Sequence, residues 1–148
     1  MTWLVFFVIS WGMALLLVRP HRVIKLWPAG LVAVIVTLLI DSTLIKMGAF
    51  LFHNQFIGIG GVPLFYALAN FANGMTLVHL VPSQGTLQPV ITLSLVLLFL
   101  MAEFTAISFG YFTHLNWNLW YSLVLNTFGF ATVLWVTRLF MPQQTTMA

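Results

Sequence analysis

The sequence predicts an all-α fold: a five-helix transmembrane bundle with its N-terminus outside and its C-terminus cytoplasmic. Three observations carry that reading. Apolar residues make up 61% of the 148-residue chain and charged residues 5%, whereas a soluble domain carries roughly 25% charged residues to cover itself with solvated groups. Five apolar runs are each long enough to be a span, which takes about 20 residues. All six prolines lie at the edges of those runs.

The first run, 2–18, ends at Arg19-Pro20. No basic segment precedes it, so it is expected to be a retained span and not a removed signal peptide. The second run is 28–50, the third 63–81, the fourth 89–112 and the fifth 118–140. Pro28, Pro63 and Pro89 open runs, where a helix needs no backbone N–H donor. Pro20, Pro82 and Pro142 follow run ends, where they stop a helix. The short connections predict antiparallel neighbours within one integral membrane domain, 1–148. The 51–62 connection is apolar for a loop, with Gly58, Gly60 and Gly61 to bend it. It is expected along the outer interface, with a re-entrant loop as the alternative. The polar tail, Gln143–Ala148, is expected to fray.

Orientation follows from the cations. Arg19, Arg22 and Lys25 fill one connection and Arg138 falls on the same side, with Lys46 opposite. Cytoplasmic loops hold the excess of Lys and Arg, so the first connection is assigned inside. This also accounts for the net charge of +3 without nucleic acid. Trp27 and Trp135 fall at the inner boundary, and Trp3, Trp117 and Trp120 at the outer one, where amphipathic rings prefer to sit. Trp11 lies mid-span and is expected to pack. There are no cysteines, so disulfides and thiolate metal sites are excluded.

Only two acidic residues occur, Asp41 and Glu103. A carboxylate inside a bilayer is costly, hence rare and commonly functional or paired. At about 1.5 Å per residue, Asp41 lies about 20 Å from Pro28 and Glu103 about 21 Å from Pro89. Both spans run in one direction, so the acids should be level in the outer half of the membrane. Tyr66, Asn70 and Asn73 follow i, i+4, i+7 spacing and share a helix face, with Gly74 allowing close approach. Thr37, Asp41 and Gly48 form a second stripe, Glu103, Gly110 and His114 a third, and Asn118, Ser122, Asn126 and Gly129 a fourth. In lipid such stripes must face inward.

The functional reading is an outward-opening polar cavity binding a cation, a proton or a small polar solute. Its expected ligand-binding residues are Asp41, Glu103, Lys46, Asn70, Asn73, Asn126 and Tyr66. The structural alternative makes the asparagines interhelical hydrogen-bonding groups and pairs Lys46 with an acid, Glu103 being a plausible partner across the interface. One cation cannot neutralise two carboxylates, so the second acid is expected to be protonated or bound. His53 and His114 share the outer side with the acids but lack tight ligand spacing, and no metal is expected. No serine–histidine–acid spacing, phosphate-binding glycine loop or helical zinc-protease motif occurs, so neither enzymatic activity nor a cofactor is expected.

Lys25-Leu26-Trp27-Pro28-Ala29-Gly30 opening a span, Asp41 within it, Gly61-Val62-Pro63 opening the next, and Glu103 deep in the fourth give a pattern over about residues 19–138. This pattern resembles an uncharacterised family of small multispan membrane proteins from endospore-forming Gram-positive bacteria. The resemblance implies a bacterial plasma-membrane location and no catalytic residues. The expected partners are the lipid bilayer and a protein partner or second copy, with Gly12 and Ala14 as a face for the copy. The competing functional class is a non-catalytic membrane subunit that binds a protein partner.

Overall fold

The apolar runs are helical in a computed structural model that describes residues 2–141. The helices are α1 (Thr2–Leu17), α2 (Pro20–Lys46), α3 (Leu64–Leu80), α4 (Leu87–Ser108) and α5 (Leu119–Phe140). Four short strands lie in the connections: β1 (Phe50–Phe52), β2 (Gly58–Ile59), β3 (Val62–Pro63) and β4 (Phe112–His114). Pro142 and the tail expected to fray lie outside the described residues. Three helices, α2, α4 and α5, are long and apolar enough to cross a membrane. α1 and α3 are shorter, at 16 and 17 residues.

α3 is the centre of the bundle, packing against α1, α2, α4 and α5. Small residues make that possible. Ala67, Ala69, Ala72 and Gly74 are buried along it, so neighbouring backbones approach closely. A Cβ on Gly74 would stand 2.5 Å from the Ala33 Cβ and 2.7 Å from the Ala29 carbonyl oxygen. Trp11 packs as expected, stacking on Phe71 at 5.9 Å and donating its Nε1–H to the Leu68 carbonyl at 3.1 Å. Of the two residues expected to face a second copy, Ala14 is fully buried within the chain, while Gly12 stays partly exposed with nothing within 4 Å of it.

Two corrections concern helix ends. The second helix does not begin at Pro28. It begins at Pro20, at the first helical position, and runs through Pro28. Arg22 and Lys25 therefore stand on its first turns, not on a loop. Twenty-seven residues at about 1.5 Å each give about 40 Å, some 10 Å more than a hydrocarbon core. The surplus at its start carries the cations. The fourth helix ends at Ser108, not near Phe112. Gly110, at φ +74°, turns the chain into β4.

The two ends of the bundle differ. At one end β1 pairs antiparallel with β4, Phe50 opposite His114 and Phe52 opposite Phe112. Trp3, Ala49, Phe50, Phe52, Val62 and Phe112 form an aromatic-rich core there. The β2–β3 hairpin folds over the same end, its turn at Gly60 and Gly61 having φ +61° and +86°. At the opposite end Arg22 meets His79 at 3.5 Å. Arg138 there donates to the Val81 and Pro82 carbonyls at 3.1 and 2.9 Å, groups left unpaired where α3 ends.

The exposed helix surface is built for an apolar solvent. Thr43, Ser94, Thr105, Ser108, Thr127 and Thr132 are exposed, and each hydroxyl donates to the carbonyl four residues back. That bond hides the hydroxyl proton where no water is present to accept it.

Candidate functional site

A partly open cavity of about 70 Å³ lies between α2, α3 and α5, with Phe99 of α4 closing one wall. Its polar lining is Thr37, Asp41, Tyr66, Asn70, Asn73 and Asn126. The helical periods inferred from sequence produce this lining. Thr37 and Asp41 are one turn apart on α2, and Tyr66, Asn70 and Asn73 follow one face of α3. Gly74 and Gly129 complete the wall.

Asp41 is buried in a predominantly apolar surround. The Tyr66 hydroxyl interacts with the Asp41 carboxyl on one side and with the Asn70 amide on the other. Asn73 Nδ2 donates to Asn70 Oδ1 at 3.2 Å. Asn126 Nδ2 is buried with no protein partner. An amide N–H in that state costs about 1–3 kcal/mol, and native structures satisfy such groups with water or a ligand.

Glu103 is not on the cavity wall, but Phe99, one turn before it on α4, is. It sits at the sheet end. His114 Nε2 is 2.8 Å from Glu103 Oε1, and the Ser122 hydroxyl donates to the same oxygen. Trp117 Nε1–H donates to Ser122 Oγ at 2.9 Å. Asn118 is not part of the α5 stripe. It caps the helix, its side chain accepting from the Tyr121 backbone N–H at 3.0 Å.

The expected Lys46–acid pair is not formed. Lys46 is exposed at the last position of α2. Among the described residues the one ion pair is His114–Glu103. Lys46 ends a helix that stops at the edge of the bundle, so its side chain runs into open space. His114 reaches Glu103 because β4 folds back onto α4, and not because the two share a helix face. Sequence reasoning placed His114, Ser122 and Trp117 at this level without finding that they converge.

Ser122, Glu103 and His114 hold a serine, an acid and a histidine together, but in the order serine–acid–histidine. A nucleophilic serine requires its proton to be accepted by the histidine. Here the acid lies between them, so the cluster can hold or pass a proton without activating an attacking oxygen.

Compared with known protein families, curated protein sequences and solved structures, the chain matches none of them. Its class rests on the fold. Among the described residues, five helices, three of them long and apolar enough to cross a membrane, mark it as a helical membrane protein.

Proposed function

We propose that the chain is a multi-pass plasma-membrane protein, bacterial as its resemblance implies, whose cavity binds a cation or a proton at Asp41. All five helices cross, with the N-terminus outside and the C-terminus cytoplasmic. The observation that carries the reading is a buried carboxyl facing a partner-free amide, Asn126 Nδ2, across a polar cavity. Cavity size narrows the ligand. One water needs about 10–15 Å³ of such space, so about 70 Å³ suits a few waters or one small ion. A sugar or amino acid does not fit. A buried carboxyl such as Asp41 also favours a proton or a bound cation over a bare negative charge.

The test is chemical. A hydrophobic carbodiimide attacks protonated carboxyl groups in apolar sites. The purified protein in lipid nanodiscs is expected to be labelled at Asp41, read by mass spectrometry of the peptide. Labelling should fall as pH rises or as a bound small cation displaces the proton. Labelling indifferent to pH and to sodium, potassium and calcium would sink the reading.

One observation favours a second reading, a non-catalytic subunit for a protein partner. In α4, of 22 residues, only Val96 is buried. A defined partner that co-purifies equally with Asp41→Asn would support it.

A further inference from the structure

We propose that the cavity's ligand is the proton, carried on trapped water, and that Glu103 with His114 is the station through which it enters. This rests on the cavity reading above and specifies its ligand.

The wall chemistry selects the ligand. A bare metal cation needs converging oxygens. Here Asn70 Oδ1 already accepts from Asn73, and the orphan group of Asn126 is an N–H donor, which water satisfies and a cation held at Asp41 leaves unmet. Water accepts from Asn126 and donates to Asp41, so it satisfies both groups at once. The available volume holds several waters.

The station is accessible and directional. The Glu103 and His114 side chains each keep 14% of their surface exposed. His114 Nε2 and Ser122 Oγ converge on Oε1, and among the described residues Oε2 accepts no hydrogen bond. Trp117 orients Ser122 by donating to its oxygen. An indole N–H donates only, so no proton passes outward along that branch. His114 from β4 and Ser122 from α5 hold Glu103, and the cavity begins one turn away: Phe99, four residues before Glu103 on α4, and Asn126, four residues after Ser122 on α5, both line it.

The transfer balances. A proton on His114 Nε2 crosses the existing hydrogen bond to Glu103 Oε1. The imidazolium becomes neutral and the carboxylate becomes a carboxylic acid. Glu103 then releases a proton to water at the Phe99 edge of the cavity, and the proton passes along the cavity water to Asp41, each water that gains a proton giving one up. No oxidant or other reactant is required.

The experiment uses the full chain in vesicles with a trapped pH dye and a potassium-diffusion potential set by valinomycin. Wild-type vesicles should carry protons faster than protein-free ones. Asp41→Asn and Glu103→Gln, both isosteric, should return flux to the protein-free level. His114→Ala should lose most of the flux and regain it on addition of imidazole, a rescue that restores a proton carrier and not a fold. Wild-type vesicles no leakier to protons than lipid alone overturn the proposal. So does a His114→Ala protein with undiminished flux, or one without rescue. Sodium or potassium flux abolished by Asp41→Asn, with no proton flux, also overturns it while leaving the cavity reading intact.

Discussion

At Gly74 the absence of a side chain sets the distance between α2 and α3. Adding a methyl group there meets the Ala33 Cβ at 2.5 Å and the Ala29 carbonyl oxygen at 2.7 Å. Backbone cannot yield as a side-chain tip does, so the helices must separate. Overpacking of this kind costs about 1–3 kcal/mol. Gly74→Ala is expected to lower stability by that amount, read as a shift in the midpoint of unfolding by SDS in mixed micelles. Gly12→Ala, where nothing lies within 4 Å, should leave the midpoint unchanged. Equal shifts for both would refute the packing argument. Single-residue chemistry was legible in the sequence where it depended on helical period. Asp41, Tyr66, Asn70, Asn73 and Asn126 share one cavity because positions three, four and seven apart share a face. It was not legible where it depended on chain reversal. The partner of Glu103 comes from β4, eleven residues on and beyond a turn, while Lys46, the cation expected to pair across the interface, is exposed at the end of α2.

The short elements lie together at the end of the bundle that holds the His114–Glu103 pair. Gly60 and Gly61 link Ile59 to Val62 in a two-residue turn, both with positive φ. This is the geometry of a type I′ hairpin. Side chains there cost about 1–2 kcal/mol per residue in backbone strain. Added Cβ atoms would also meet Ser42 and, at 3.0 Å, Ile45, both on the turn of α2 that follows Asp41. The double variant Gly60→Ala/Gly61→Ala is expected to open the hairpin while leaving the helices intact. Amide exchange should accelerate at Ile59 and Val62, with helical circular dichroism unchanged. Exchange as slow as in the wild type would show that the hairpin tolerates the strain. Helices were the readable elements. The expected 2–18, 63–81 and 118–140 became Thr2–Leu17, Leu64–Leu80 and Leu119–Phe140, because apolar runs bounded by proline have few other ways to satisfy their backbone in lipid. Pro28 misled because it sits inside α2, and a proline inside a membrane helix is tolerated when its surroundings re-satisfy the freed carbonyl. The β1–β4 pair was unreadable, since three-residue strands carry too few positions to show alternation.

Across the whole molecule, the number of crossings is the property on which the proposed function depends, and contacts between distant residues constrain it. Trp3 donates to the His53 carbonyl at 2.8 Å, and β1 pairs with β4. The start of α1, the α2–α3 connection and the α4–α5 connection therefore meet at one end. Arg22 meets His79, and Arg138 binds the Val81 and Pro82 carbonyls. The start of α2, the end of α3 and the end of α5 therefore meet at the other. A chain that alternates between ends in this way is what five crossings require. The weak point is length. Sixteen and 17 residues in α1 and α3 give about 24 and 26 Å, short of a core of about 30 Å. Bilayers thin locally to meet such helices at modest cost, and α3 is shielded from lipid by its neighbours. The absence of cysteine makes the count measurable, because one introduced thiol has no background. Asn54→Cys, Gln84→Cys and Asn116→Cys each put a thiol at an exposed loop position. Five crossings place residues 54 and 116 outside and 84 inside. An impermeant maleimide added to intact cells should then label 54 and 116, and should reach 84 only after lysis. If only α2, α4 and α5 crossed, 54 and 84 would label together and 116 would be protected. That second pattern would also put Asp41 and Glu103 on helices running in opposite senses through the bilayer, and a cavity served by both acids from the outer face would no longer follow.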